Sequence, residues 1–163
     1  MPQIAIVVML AVAAVQLAYF YPQLPAVIAS HFNAAGIANS WQPKGVFVGL
    51  MCFVYALLAS MYLLLPQLIM SVPPSLINLP NKTYWLAPER RLLTAHMVGD
   101  EIAWLGVAIF AFIILATQLA INANLPGANM QVGPAIWWFV AVFVVIAVIW
   151  TIRFYRMFSR TSG

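Results

Sequence analysis

Four long runs of apolar residues restrict the fold of this chain more than any other feature. They cover residues 4–21, 45–65, 102–121 and 136–152. A helix of about 20 apolar residues, rising about 1.5 Å per residue, crosses a hydrocarbon core of about 30 Å. Of the 163 residues, 65% are hydrophobic and 6% are charged, whereas soluble domains carry about 25% charged residues. The sequence therefore predicts a single membrane domain over residues 1–163.

The spans are predicted to be helices rather than strands of a barrel. In hydrocarbon, every backbone amide must find its partner within its own helix or in a closed barrel. Barrel strands alternate apolar and polar residues, and the stretches VAIFAFIILA and WWFVAVFVVIAVIW do not alternate. The predicted fold class is all-α, an integral membrane bundle of four transmembrane helices.

The basic residues predict the orientation of this bundle. With four spans, the two termini and the loop of residues 66–101 share one side, and the loop of residues 22–44 lies on the other. Six of the seven basic residues fall on the side of the termini, namely Lys82, Arg90, Arg91, Arg153, Arg156 and Arg160. Basic residues accumulate on the cytoplasmic side. Both termini are therefore expected inside the cell, with the 22–44 loop outside.

The last helix is expected to bind lipid at its cytoplasmic end. Arg153, Arg156 and Arg160 follow the fourth span at helical spacing, with aromatic residues between them. Each basic residue near an anionic membrane surface contributes about 1 kcal/mol. Three arginines are too few for nucleic-acid binding, which neutralises many phosphates. The predicted partners here are the bilayer and its anionic lipids.

Two ordered motifs occupy the loops between the apolar runs. The first contains Leu24-Pro25, then His31-Phe32-Asn33-Ala34-Ala35-Gly36, then Trp41 and Lys44. The second is NLPNKTYWLAPERR, residues 78–91. Together they resemble the small bacterial membrane family called domain of unknown function 1648. The chain departs from the family's pattern at Ala29, where a proline is common, and at residues 38–40, where an acidic, glycine-containing turn is common.

The resemblance implies a location and a class of function. Its bacterial members imply a multi-pass protein of the cell's inner membrane. The same module stands at the front of a longer protein that protects a cell from a secreted killing peptide and relays the peptide's presence to a repressor. A similar chain is expected to bind a secreted peptide or a membrane-protein partner on its outer face. The residues that would do so are His31, Phe32, Asn33, Gly36, Trp41 and Lys44.

Three residues of the outer loop also have simpler interpretations. His31 is expected to be a hydrogen-bonded structural residue, with partner contact and proton sensing as the alternatives. No second metal-binding side chain lies near it in sequence, so no metal site is predicted. Asn33 is typical of a turn in which the amide bonds its own backbone, and Gly36 permits a left-handed turn.

The inner loop is predicted to shape the cytoplasmic side. Pro88 is the expected first residue of a long helix, with Glu89 beside the positive end of its dipole. Arg90 and Arg91 are expected to bind lipid phosphates, Glu89 or loop backbone, and Arg91 is a possible internal clamp. The residues of this motif considered functional are Asn78, Pro80, Asn81, Tyr84, Trp85, Pro88, Glu89, Arg90 and Arg91.

His96 and Asp100 form the one acid–base pair suggested by spacing. Residues four apart share a helix face, so the imidazole and the carboxylate can meet. A proton relay at the membrane boundary is one interpretation. An ordinary solvated pair is the other, and it is favoured because exposed pairs contribute little.

No enzyme activity or cofactor is predicted. Cys52 lies mid-span, where a thiol is a small hydrophobic group rather than a nucleophile. Metal-protease and phosphate-binding motifs are absent from the sequence. The main hypothesis is a non-enzymatic peptide- or partner-binding module of the immunity or signalling type. The alternatives are an accessory subunit of a larger membrane complex and, less favoured, a small transporter.

Overall fold

The computed structural model describes residues 1–160 and has four long helices. Each is long and apolar enough to cross a membrane, which confirms the predicted four-helix membrane fold. Each helix begins before its predicted span, and α2, α4 and α5 also end after theirs. Their bounds are α1 Pro2–Phe20, α2 Lys44–Ser71, α4 Arg91–Asn124 and α5 Ala135–Ser159, with a short α3 at Lys82–Trp85.

Helix α4 is the centre of the bundle. It packs against α1, α2 and α5, and α1 also packs against α2. Tyr55 of α2 and Phe110 of α4 are buried in the main core, and their rings stack with centroids 5.8 Å apart. Two glycines of α4 let α2 approach closely. A Cβ at Gly106 would lie 2.8 Å from the Tyr62 ring, and one at Gly99 would lie 2.8 Å from Pro66.

Helix α5 is attached to the side of this bundle. It packs chiefly on α4, and Phe158 near its end is its one buried residue within the described chain. Such an exposed apolar helix would be untenable in water, but lipid is as apolar as its side chains. The arrangement leaves a space between α2 and α5, with α4 as its floor.

A β-hairpin connects α1 to α2, following a short 3₁₀ turn at Tyr21–Gln23. Strands β1 (Val27–Phe32) and β2 (Ala38–Pro43) are antiparallel, with register irregularities on either side of His31. The all-α prediction missed this hairpin. The strand sequences VIASHF and ANSWQP lack the clean alternation of apolar and polar residues that would have indicated strands, and their pairing register is irregular.

The two ends of the bundle differ in their chemistry. Residues 21–43 and 125–134 form one end, called here the hairpin end. Residues 72–91 and 153–160 form the other, called the arginine end. At the arginine end, α4 begins at Arg91 and not at Pro88 as predicted. The carbonyl of Ala87 accepts hydrogen bonds from the N–H groups of Arg90 and Arg91, both at 2.9 Å, so residues 88–90 form a turn.

Candidate functional site

The tip of the hairpin is a tight turn built by Asn33 and Gly36. The side-chain oxygen Oδ1 of Asn33 accepts hydrogen bonds from the N–H groups of Ala35 and Ile37, each at 3.0 Å. Gly36 has a φ of 76°, a left-handed conformation that glycine adopts at little cost. The structure therefore gives both residues a role in holding the turn.

This turn is docked on the loop between α4 and α5. The carbonyl of Gly36 accepts from the N–H of Val132 at 3.0 Å, and Ala38 N–H donates to the carbonyl of Met130 at 3.3 Å. The indole Nε1 of Trp137 donates to the carbonyl of Ala34 at 3.2 Å. The beginning of β2 is thus paired on its outer side, and the hairpin is fixed to α5 as well as to α2.

Asn124, the last residue of α4, fixes the middle of β1. Its Oδ1 accepts from the N–H of Ala29 at 2.7 Å, and its Nδ2 donates to the carbonyl of the same residue at 2.8 Å. Both residues are buried. The carboxamide therefore replaces a neighbouring strand at this point. Sequence reasoning missed Asn124, whose one signal was its place at the end of an apolar run.

Lys44 is the first residue of α2 and holds the end of α1. Its ammonium Nζ donates to the carbonyls of Leu24 at 2.8 Å and Tyr21 at 3.1 Å, and it lies 4.8 Å from the centroid of the Tyr21 ring. The sequence placed Lys44 among the partner-binding residues. The structure uses its charge within the chain, where it satisfies carbonyls that follow a helix.

His31, Trp41 and the free edge of β2 remain available for contacts. His31 is exposed, with its Nδ1 2.7 Å from Oδ1 of Asn39. Trp41 is 52% exposed. In the described part of the chain the sheet has two strands, so β2 beyond Ala38 has no neighbour on its outer edge. Within residues 1–160 no group of three or more His, Cys, Asp or Glu could hold a metal ion.

A groove of about 560 Å³ lies below the hairpin. Its roof is the stretch from Ser30 to Ala34, which includes Phe32, and its floor is α4. Phe47 and Met51 line it on the α2 side, and Trp137 and Val140 on the α5 side. Phe32 is half-buried here, so its ring belongs to the groove rather than to the exposed surface.

At the arginine end, Asn81 and Trp85 bind the end of α5. Nδ2 of Asn81 donates to the carbonyl of Ser159 at 2.9 Å and approaches that of Phe158 at 3.3 Å. Nε1 of Trp85 donates to the carbonyl of Phe158 at 2.8 Å. These are terminal carbonyls that lack partners within the helix. The loop therefore caps α5.

Arg91 binds the end of α2 in the same way. Its Nη2 donates to the carbonyls of Val72 at 2.7 Å and Met70 at 2.9 Å. Arg91 was predicted to be an internal clamp only if buried, and here it binds the end of α2 while half-buried. Arg90 instead lies over the ring of Tyr84, with its guanidinium 4.1 Å from the centroid. Across residues 1–160, the remaining motif residues make no side-chain hydrogen bond and are half-buried or exposed: Asn78, Pro80, Pro88 and Glu89.

Comparison with known proteins identifies the segment that carries the hairpin. Residues 7–56 match the family model described as Domain of unknown function (DUF1648). The chain is therefore similar to this family over about a third of its length, and residues 7–56 are called here the DUF1648 segment. This match confirms the predicted resemblance and covers the first loop motif, while the second motif, residues 78–91, lies outside the matched residues. Searches of curated proteins and of solved structures found no match.

The DUF1648 segment holds one of the two predicted sites. It includes most of α1, the entire hairpin and the first half of α2, and therefore every predicted partner-binding residue. Asn124 and the caps formed by Asn81, Trp85 and Arg91 lie outside the DUF1648 match. The hairpin is thus the part of the loops to which the family similarity applies.

The acidic residues of α4 have partners that the sequence did not indicate. Asp100 accepts a hydrogen bond from Nε2 of Gln3 at 2.7 Å, and no ion pair joins it to the exposed His96 within residues 1–160. The predicted pair is therefore wrong for this structure. Glu101 is buried and forms an ion pair with Arg153, with Nη2 and Oε1 2.6 Å apart. Arg153, predicted as a lipid contact, joins α5 to α4. Lipid binding by Arg156 and Arg160 stays a prediction.

Proposed function

We propose that this membrane protein is a non-enzymatic binding module whose hairpin receives an extended segment of a peptide partner along the free edge of β2. The observation that carries the proposal is that edge. Asn39, Ser40 and Trp41 are all exposed there, and no third strand covers them among residues 1–160. An unpaired strand edge presents N–H and C=O groups that another chain can pair with.

Addition of a strand to a sheet edge is a common way to bind peptides. Backbone hydrogen bonds supply affinity, and alternate side chains supply specificity. Trp41 can supply specificity because large aromatic side chains dominate binding energy at interfaces. His31 lies on the paired strand and is also exposed. Two of the residues that the sequence analysis named as candidates for partner binding, His31 and Trp41, are therefore exposed on one hairpin.

The hairpin is held firmly enough to act as a template. Asn124, Lys44 and the 130–132 segment each bind its backbone or its ends. A preorganised site loses less entropy on binding than a flexible loop does. The distribution of basic residues favours an external position for this end, where a secreted peptide would arrive. The partner class, a secreted peptide, comes from the family resemblance.

Replacing Trp41 with alanine tests this proposal. Random peptides displayed on phage are selected against the protein in lipid nanodiscs, and the affinity of each selected peptide is then measured. We expect W41A to weaken binding by at least about tenfold, since interface tryptophans often contribute 2 kcal/mol or more. Trp138→Ala is the matched control, because Trp138 is 74% exposed on α5. Equal affinity for wild type and W41A would refute the proposal.

An accessory subunit of a larger complex is the second candidate, and one face of α2 favours it. Gly45, Gly49, Cys52, Ala56 and Ser60 follow one another along this helix, and all are exposed. A Cβ at either glycine would meet no atom within 4 Å. Small residues repeated along a helix allow another transmembrane helix to pack closely.

Gly49→Leu tests this second candidate. The protein is extracted from its native membrane in mild detergent and separated on native gels. If a partner helix packs on this face, the wild type runs as a complex and G49L runs as the isolated chain. The melting temperature of the isolated chain should not fall, because leucine favours a helix more than glycine does. Val46→Leu, at an exposed position nearby, is the control. A wild type that runs alone at every detergent concentration would exclude the complex.

A further inference from the structure

The groove below the hairpin has the walls of a hydrocarbon site. Aromatic and aliphatic side chains of α2, α4 and α5 line it, including Met51, Ile113 and Val140. Thr117 is the polar side chain in its depth, and its hydroxyl lies 3.3 Å from the Tyr55 hydroxyl and 3.6 Å from the Met51 sulfur. A polar ligand would therefore find few groups to bind inside.

The position of the groove suits one leaflet of a bilayer. Its floor runs along α4 from Phe112 to Ala120, about 12 Å at about 1.5 Å per residue. Half of a hydrocarbon core of about 30 Å is about 15 Å. The hairpin closes the groove at its outer end. The groove is open on the side between α2 and α5, because α5 packs chiefly on α4.

These features decide what can enter. A hydrocarbon chain that enters sideways from the membrane meets apolar surface along the whole depth of the groove. A water-borne ligand would have to pass the hairpin roof formed by Ser30, His31 and the residues after them. A volume of about 560 Å³ is in the range of about 300–1,000 Å³ found for ligand clefts.

We propose that this groove binds one acyl chain of a phospholipid from the leaflet at the hairpin end. The chain lies along α4 between α2 and α5, and the headgroup stays at the level of the hairpin. The bound lipid fills the space that the helices leave and supports the hairpin from below. This inference does not depend on peptide binding at the β2 edge, since the groove and that edge are separate surfaces.

The test measures retained lipid in variants that fill the groove. Ala116→Trp fills it from the floor, and Val140→Trp fills it from the α5 wall. Ala141→Trp, at an exposed position of α5, adds the same bulk outside the groove. Each protein is reconstituted with phosphatidylcholine carrying a photoreactive group in one acyl chain, extracted in detergent, and weighed by native mass spectrometry. Crosslinked residues are then mapped after illumination.

We expect wild type and A141W to retain one phospholipid per chain, with crosslinks at Met51, Phe112 and Ala116. Both filled variants should retain at least about tenfold less, since losing the burial of two methylene groups already corresponds to roughly tenfold in affinity. Melting temperatures identify any variant that is misfolded, and the second variant then decides. The proposal would be overturned if both filled variants retained as much phospholipid as wild type does. Crosslinks spread evenly over the lipid-facing surface, or retention of a free fatty acid instead of a phospholipid, would also overturn it.

Discussion

Replacing Asn124 with alanine is expected to release the hairpin from the end of α4. The substitution removes the partner of the Ala29 N–H and one partner of the Ala29 carbonyl, and Ala29 is 0% exposed. A buried backbone group left without a partner costs about 1–3 kcal/mol. With two such groups affected, we expect the free energy of local opening to fall by about 3 kcal/mol, or more than about 100-fold in the opening equilibrium.

Hydrogen exchange of the backbone amides in residues 27–43 measures this effect. Exchange through local opening should accelerate by that factor in N124A, while the amides in the middle of α4 should change little. Asn122→Ala is the matched control, because Asn122 is exposed and accepts a hydrogen bond from Gln118 at 2.8 Å on the same helix. Unchanged exchange in the hairpin of N124A would show that Asn124 does not hold it.

Replacing Arg91 with methionine is expected to loosen the arginine end. Methionine keeps much of the apolar stem but removes the guanidinium that binds the carbonyls of Met70 and Val72. Hydrogen bonds to charged groups contribute about 1.5–3 kcal/mol each, and one of these two is solvent-exposed. We expect R91M to lower the free energy of unfolding by about 2–3 kcal/mol in a titration with denaturing detergent.

Two further variants separate charge from geometry at this end. Arg91→Lys keeps the positive charge but lacks the fork that reaches two carbonyls, so it should recover only part of the loss. Arg90→Met removes a neighbouring arginine that lies on the half-buried ring of Tyr84, a contact of about 0.5–1 kcal/mol. If R90M and R91M were equally destabilising, the clamp on α2 would not be the cause.

The helices could be predicted because their signal is local. Each span is a continuous apolar run, and in lipid the backbone must satisfy its hydrogen bonds within the run. The ends were less certain, as the start of α4 at Arg91 instead of Pro88 shows. At a helix end, the loop decides where hydrogen bonding begins, and the carbonyl of Ala87 sets the first turn.

The roles of the polar residues could not be predicted because their partners are far away in sequence. Asn124 binds Ala29, and Asn81 binds the last turn of α5, across 95 and 78 residues respectively. Nothing in either neighbourhood indicates those partners. Turn residues behaved differently, since Asn33 bonds backbone groups two and four residues ahead, within the reach of a local pattern.

The acidic residues illustrate the same limit. Asp100 and Glu101 are adjacent on α4 and therefore point to different neighbours, Gln3 on α1 and Arg153 on α5. The spacing of His96 and Asp100 permits contact within one helix. A polar partner on another helix can take precedence, because the pairing satisfies both polar groups in the interior of the bundle.

The loop at the arginine end also sets the distance between the ends of α2 and α5. Arg91 donates hydrogen bonds to carbonyls at the end of α2. Asn81 and Trp85, a few residues earlier, donate to carbonyls in the last turn of α5. Helices α2 and α5 pack on α4 rather than on each other. Residues 81–91 therefore connect the ends of the two helices. The gap between α2 and α5 can widen at this end only if one of these hydrogen bonds breaks.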